Sequence, residues 1–457
     1  MTAFPPLPSP CGHWLLGNLR EFRRDMLGFL TRCARDYGDA VLFRLGPKRI
    51  VLLSHPSLVE EVLVTANRHF AKHYILRLLA PLLGSGLLTS EGDFWLRQRR
   101  LMQPAFLRNR VASYGPVVID YANRVLAEWR GGETRDLHAE MMRLTLGIAA
   151  RTLLDVEAMD RAGALARAFE QILTDFSYRF ESAYPLPLWL PTLWNRKVKQ
   201  ALSQLDEVIH GIIKERRTKD AGGGDLLSIL LRARDAEDGR GMTDQQLRDE
   251  VMSLFLASHE TTANALAWTW YLLATHPGAE AQLLSELDAA LGDRAPTAAD
   301  LPRLGCAERV ILEAMRLYPP VYAFGREALR DCTVGGHRLP AGTTVLISQW
   351  VLHRDPRSFD APVEFRPERW ANGLAQRLPR CAYIPFSAGP RVCIGNTFAL
   401  MEATLILATL APAFRFALAP GHVVKPWPSV TLRPADGIKV VLHRRSGKGD
   451  IVTFPPI

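Results

Sequence analysis

"FSAGPRVCIG", residues 386–395, decides how this chain is read. Cys393 stands alone between Gly389 and Gly395, two residues after Arg391. Glycine permits positive φ or a close backbone approach, so the stretch reads as a tight loop around one sulfur. "NTFALMEATLILATL" (396–410) follows with a strong helical pattern and sets Cys393 just before a helix N-terminus. Free amides and the helix dipole favour an anion there, so the expectation is a thiol of lowered pKa. A thiolate so placed serves as a nucleophile or as a metal ligand. A nucleophile wants a histidine base, and this segment holds none. Zinc wants further ligands, and Cys381 brings no supporting His or Cys spacing. One thiolate suits a haem iron, whose porphyrin supplies the equatorial ligands. An inert buried cysteine is the plain alternative, and the glycines and Arg391 weigh against it.

The other five cysteines, at 11, 33, 306, 332 and 381, form no CxxC pair and no regular framework. That favours reduced thiols and a cytoplasmic setting over a disulfide scaffold. The first residues, "MTAFPPLPSPCGHWLLGNL", lack the charged and apolar regions of a signal peptide. No run approaches the ~20 apolar residues of a spanning helix, so the chain reads as soluble, without a membrane anchor. The net charge of +9 fits an acidic partner or a generally basic surface. "RQRR" (97–100) and "KERR" (214–217) are too short and too poor in aromatics to argue for nucleic acid.

With 457 residues and 48% apolar content the chain has ample material for a large core. Strand-like runs lie early, in "AVLFRLGPKRIVLLS" (40–54) with a hairpin at Gly46-Pro47, and late, in 332–348 and 429–443. Helical periodicity fills the middle. The expected class is mainly α with small β-sheets (α+β), arranged as a β-rich part to about 90, a helical core over about 91–330, and C-terminal sheets with the cysteine loop beyond. "KDAGGGD" (219–225) is the one flexible-looking joint.

The clearest helix spans about Asp244 to Thr275, with a capping-box pattern at Thr243 and Gln246 and Pro277 beyond its end. At 1.5 Å per residue it would run about 48 Å, a whole domain diameter. Its centre reads "ASHETT" (257–262), a polar run that a buried helix must partner. Glu260 and Thr261 place an acid beside a hydroxyl, able to relay a proton through water. The plainer alternative is a threonine bonded back along its helix. "HETTA" lacks the second histidine of a zinc-peptidase motif, since Ala263 stands there. In "AERVILEAMRLYPP" (307–320), Glu313 and Arg316 share a face and can pair. Apolar neighbours point to a buried pair, which needs further partners, and Arg369 of "FRPERW" (365–370) is the candidate third member.

Together these segments resemble the cytochrome P450 family across nearly the whole chain. "FSAGPRVCIG" is similar to its FxxGxRxCxG haem loop, "EAMR" (313–316) to its ExxR, "PERW" (367–370) to its PERF-type segment, and "WLRQR" (95–99) to its WxxxR. "ASHETT" resembles the central-helix pattern [AG]Gx[DE]T[TS], except that Ser258 replaces the usual glycine. The resemblance implies one domain over residues 1–457, its long helix crossing over haem b, with Cys393 as axial thiolate and Phe386 packed over the sulfur. Trp95, Arg99 and Arg391 would hold the propionates, with Arg326 and His353 as further candidates and Gly389 and Gly395 shaping the loop. Glu313, Arg316 and Arg369 would brace it, and Glu260 and Thr261 would deliver protons to bound dioxygen. Phe70, Tyr74, Leu79, Phe176, Ala257, Ser258, Tyr322, Phe324 and Val430 would line a pocket for a terpenoid, steroid or fatty-acid-like substrate. The implied reaction inserts one atom of O2, by hydroxylation or epoxidation. Electrons would come from NAD(P)H through a separate ferredoxin or flavodoxin with its reductase, since only about 60 residues follow Cys393. A monomer is expected. Its rivals are a peroxide-using or isomerising enzyme of the same fold and a non-catalytic haem-binding protein, and the Glu260-Thr261 pair weighs against both.

Overall fold

The computed structural model describes residues 6–77 (of Arg77, the backbone only), 79–155, 189–218 and 224–445. Twelve strands are present among them: β1 (Ala40–Leu45), β2 (Lys48–Leu53), β3 (Phe70–Lys72), β4 (Thr134–Asp136), β5 (Phe324–Ala328), β6 (Cys332–Val334), β7 (His337–Leu339), β8 (Thr344–Ile347), β9 (Phe414–Leu418), β10 (Pro426–Pro428), β11 (Leu432–Pro434) and β12 (Lys439–Arg444). The helices that shape the site are α1 (Leu19–Arg24), α2 (Met26–Tyr37), α3 (Gly92–Met102), α4 (Gly115–Glu128), α5 (Leu137–Leu154), α6 (Leu193–Thr218), α7 (Asp244–Thr275), α8 (Pro277–Leu291), α9 (Gly305–Leu317) and α10 (Asn396–Leu410).

β1 and β2 form the expected antiparallel hairpin, with Leu45 opposite Lys48 and Gly46 at φ +60 in the turn. The early and late strands do not make separate sheets. β2 pairs with β8 in parallel, and the five-stranded order is β1-β2-β8-β5-β3. A second sheet runs β4-β12-β9, and β10-β11 and β6-β7 are two-stranded hairpins. Periodicity in one short run carries no information about a partner strand so distant in sequence, which is why the mixed sheet was not foreseen.

α7 starts and stops as the sequence predicts. Thr243 accepts from the Gln246 amide at 3.2 Å, and the Gln246 side chain accepts from the Thr243 N–H at 2.9 Å. Trp268 and Phe255 are fully buried on this helix, and α5 packs along it, with Thr145 donating to His259 O at 2.9 Å. A helix apolar on nearly every face belongs in a core, where its polar residues need partners. They have them. Arg248 reaches Asp206 on α6, Asn264 donates to Thr431 at 3.0 Å, and Trp268 donates to Leu432 O at 2.9 Å. Asp249 and Glu250 accept from the backbone N–H groups of Ser85 and Leu87, both at 2.8 Å. The loop ahead of α3 is thereby tied to the first half of α7.

α9 carries the buried pair. Glu313 Oε1 accepts from Arg316 Nη2 at 2.8 Å and from Arg369 Nε at 2.8 Å, and its Oε2 accepts from Arg316 Nε at 2.9 Å and Trp370 Nε1 at 2.8 Å. Arg316 spends its remaining N–H groups on the carbonyls of His353, Pro362 and Glu364. The expected triad is therefore the centre of a larger network that pins residues 353–370 onto α9.

Candidate active site

Cys393 opens onto a cavity of about 2150 Å³, walled by α7, β5, β10 and the cysteine loop. The loop is shaped by its own amides. Cys393 N–H donates to Phe386 O at 2.9 Å, and Val392 N–H donates to Gly389 O at 3.1 Å. Gly389 has φ +71, and a Cβ there would lie 2.0 Å from Leu63 O, so glycine admits the 61–65 turn against the loop. Gly395 differs. Its φ is −91 and a Cβ would meet only Phe106, at 3.9 Å, so its backbone makes no demand for glycine.

The thiol expectation needs correcting. Cys393 has accessible surface, but that surface is cavity wall deep in the protein. Burial pushes the thiol above its ordinary value, ahead of the opposing pull of the Gly395 N–H and Arg99. Desolvation outweighs the helix N-terminus here.

On one side of the cavity the cations gather. Arg391 lines it and is forked onto Glu91, with Nη1 2.7 Å from Oε1. Trp95 lies beneath, its ring centroid 5.0 Å from the Arg391 guanidinium. Lys72, at the end of β3, donates to Leu87 O at 2.8 Å and Ser90 O at 2.7 Å, and burial holds it down to about 7 against the pull of Glu91. Arg326 on β5 lines the same wall and donates to its neighbour Gly325 O. Burial, reinforced by Arg391, lowers it to about 10, so it stays charged at neutral pH. Arg99 grips the cysteine loop instead of the cavity, donating to Val392 O at 2.8 Å.

Five expected residues do not line the cavity: Trp95, Arg99 and Gly389, which lie beside the cysteine loop or behind Arg391, and His353 and Phe70. His353 is fully buried beneath it: its Nε2 accepts from Ile384 N–H at 2.9 Å, and its ring packs on Tyr383. It fastens the start of the cysteine segment and lies too deep to reach a propionate. Phe70 alternates to the inner face of the five-stranded sheet, where it packs with Val345 and Ile347. Tyr74, Leu79, Ala257, Ser258, Tyr322, Phe324, Phe386 and Val430 do line the cavity, and Phe176 lies outside the described residues. Tyr322 turns its hydroxyl away, donating to Ser429 O at 2.7 Å.

Along α7, Thr261 faces the cavity and donates to Ala257 O at 2.8 Å, while Thr262 donates to Ser258 O at 3.0 Å. Such i−4 bonds leave the hydroxyl oxygen open as an acceptor. Glu260 also borders the cavity, but its carboxylate is held by Arg433 Nη2 at 2.7 Å and by the Thr431 hydroxyl. Behind them, Glu402 on α10 meets Thr262, and burial pushes its carboxyl well above the usual range. Lys72, Glu91, Glu402, Thr431 and Arg433 were not singled out from sequence. Each is a lone polar residue with no motif around it, and only folding brings it to the site.

The comparisons agree with this geometry. The cytochrome P450 family model matches residues 5–442. Cyclooctatin synthase of Streptomyces melanosporofaciens is 40% identical over 427 residues, covering 93% of each chain. Cyclooctat-9-en-7-ol 5-monooxygenase of the same organism is 39% identical, covering 89% of this chain and 88% of the other. The crystal structure of the cytochrome P450DA heme domain superposes with a TM-score of 0.89 at 28% identity, covering 97% of this chain and 98% of that one. The chain belongs to the cytochrome P450 family, and it is a monooxygenase whose cofactor is a haem held by a thiolate. No helix among the described residues is long and apolar enough to cross a membrane.

The wall of the cavity fits that group. Arg326 is a buried, charged guanidinium facing the cavity, and no carboxylate pairs with it among the described ion pairs. A buried cation calls for an anion, and a propionate is one.

Proposed function

We propose that this chain, as one domain over residues 1–457, hydroxylates or epoxidises a cyclic terpenoid. The observation that carries the reading is that Cys393 and Thr261 face one large cavity walled mainly by apolar side chains. Such walls select an apolar substrate by burial, with few polar groups to orient it. The relatives' names support the class: one is named as a 5-monooxygenase of cyclooctat-9-en-7-ol.

Haem b, when bound, supplies reductive activation of O2 and transfer of one oxygen atom to carbon, the other leaving as water. Cys393 would hold its iron through the sulfur. Arg326, Arg391 and Lys72 would hold its carboxylates, with Trp95 supporting Arg391. Arg99, Gly389 and His353 hold the loop that presents the sulfur. Thr261 accepts and passes a proton at its hydroxyl, and Glu260 replenishes it when released from Arg433. Glu313, Arg316 and Arg369 keep the cysteine segment rigid. Electrons come from NAD(P)H by way of a separate ferredoxin or flavodoxin with its reductase. The enzyme works as a cytoplasmic monomer.

The carbon monoxide difference spectrum of the reduced protein tests the ligand: a strongly red-shifted Soret band is expected, absent in Cys393→His. Titration with cyclic terpenes, steroids and fatty acids should give the low- to high-spin shift with the terpenes. A shift with fatty acids alone would overturn the substrate class. Thr261→Ala should consume NAD(P)H with a severalfold lower yield of product.

A further inference from the structure

A line of polar side chains leads away from Glu260 through the interior. The Thr431 hydroxyl donates to Glu260 Oε1, and its oxygen accepts from Asn264 Nδ2 at 3.0 Å. Asn264 is fully buried one turn beyond Glu260 on α7, and its Oδ1 lies 3.0 Å from His138 Nε2. His138 stands in the first turn of α5, partly exposed, where the Asp136 side chain accepts from its backbone N–H at 3.0 Å. The line thus joins the surface end of α5 to a cavity-side carboxylate, through residues far apart in the chain.

Chemistry sets the direction of each bond. An amide oxygen accepts and never donates, so Nε2 carries the imidazole proton. Asn264 then turns its amino group to Thr431. Having accepted from it, the Thr431 hydroxyl has its one proton left for Glu260. Burial, reinforced by Arg433, holds the His138 imidazole below its ordinary value against the pull of Asp136, Asn264 and Glu260. At neutral pH the ring therefore has one N–H to give. The opposite direction is a second complete arrangement, with a protonated Glu260 donating to Thr431, the amide turned over, and the imidazole proton on Nδ1. Bonds in such a chain polarise one another, so the choice is made for the whole line. Packing alone would be served as well by apolar residues at 138 and 264, since a matched apolar pair costs little.

We propose that His138 is a positioning residue for proton delivery: through Asn264 and Thr431, its Nε2–H holds Glu260 in the ionised, parked form beside Arg433. It thereby sets how readily the acid turns to Thr261. The inference rests on the reading of Glu260 as the acid that supplies Thr261. After giving up its proton, Glu260 is a carboxylate that Thr431 and Arg433 capture, and water must return a proton before it serves again. A donor at the far end of the line makes that capture firmer.

Two measurements test this. The first needs no turnover: nuclear magnetic resonance of the reduced, carbon monoxide-bound protein carrying nitrogen-15-labelled histidine, with the His138 signals assigned by their loss in His138→Gln. The ring should be neutral at neutral pH with its proton on Nε2, and Asn264→Leu should remove that preference. A proton resident on Nδ1 in the wild type would overturn the proposal, whether or not any variant folds.

The second follows NAD(P)H consumption in ordinary and deuterated water, with a cyclic terpene that gives the high-spin shift and a saturating surrogate ferredoxin and reductase. His138→Leu should raise the rate by about two- to tenfold. It should also shrink the solvent isotope effect and leave the midpoint of the spin shift unchanged. His138→Gln, which keeps an N–H donor, should restore wild-type behaviour, and in a Glu260→Gln background His138→Leu should change nothing further. Circular dichroism and the carbon monoxide spectrum check that the variants fold. A wild-type rate and isotope effect in His138→Leu, where Glu260→Gln slows turnover, would overturn the inference and leave the role of Glu260 standing. A shifted spin-state midpoint would overturn it too, by assigning the line to holding Val430 at the substrate. Turnover unaffected by Glu260→Gln would remove the reading of Glu260 itself, and this inference with it.

Discussion

Arg433 Nη2 lies 2.7 Å from Glu260 Oε1, so a C-terminal hairpin strand reaches to the middle of the central helix and holds a cavity-side carboxylate. Thr431, on the same segment, donates to that carboxylate and accepts from Asn264. The acid of the acid–alcohol pair is therefore in a parked position, bonded away from Thr261.

Removing the clamp separates its two effects. Arg433→Met should destabilise the fold by about 1–3 kcal/mol, less than a fully buried pair would because the guanidinium is partly exposed. Equilibrium urea unfolding measures this. In Glu260→Gln/Arg433→Met the two changes should be strongly non-additive, since they remove one interaction. Additive losses would mean that the two side chains do not act on each other.

Glu313 satisfies Arg316, Arg369 and Trp370 at once. Glu313→Gln leaves a buried guanidinium without its counter-charge and should cost about 3–5 kcal/mol. The variant should also purify with a lower haem-to-protein ratio, because the same network holds residues 353–370. A ratio equal to wild type in folded variant protein would show that the network is not needed to shape the site.

Two buried groups make stability depend on pH with opposite signs. Burial, with Arg316 and Arg354 nearby, holds His353 down to about 3, so between about 6.5 and 3 the unfolded chain binds the extra proton. Stability then falls as pH falls, by about 1.4 kcal/mol per unit at most. Burial pushes Glu250 up to about 8, so between about 4.5 and 8 the folded chain keeps a proton that the unfolded chain releases. Stability from this group is lost as pH rises. Urea midpoints across pH 4.5–8.5 should show a shallower acid limb in His353→Gln and a shallower alkaline limb in Glu250→Gln.

Ser258 lines the cavity and donates to Phe255 O at 3.3 Å. Ser258→Gly removes that bond and loosens a helix interior, a loss of about 1–2 kcal/mol seen as a lower melting temperature. The gained space should let bulkier cyclic terpenes produce the high-spin shift. Identical ligand ranking in both proteins would show that the hydroxyl does not limit the cavity.

Much of this was legible in the sequence because the signals were local. The capping box, Pro277 and apolar periodicity define α7 to the residue, and Gly389 announces a close approach that the Leu63 backbone makes. Motif spacing located Glu313 and Arg316. What stayed hidden depends on distant chain segments meeting. Arg433 and Lys72 look like ordinary strand residues until folding sets one against Glu260 and the other beside Arg391. His353 and Phe70 point inward for reasons of packing and register that neighbouring residues do not encode. The thiol's direction was misjudged because a dipole argument is local, while desolvation depends on the whole fold.

The parallel pairing of β2 with β8 has a consequence in time. Ile50 meets Thr344, about 290 residues later in the chain. At about 5–20 residues per second, the β1–β2 hairpin waits tens of seconds during synthesis for its partner strand. Until then the edge of β2 is unpaired and offers itself to any passing strand, the condition under which nascent chains aggregate. The helical middle, rich in local contacts, can condense first, while the five-stranded sheet and the cavity mouth beside it close last. Slowing translation after residue 350 should therefore raise the yield of folded protein more than slowing it near residue 100.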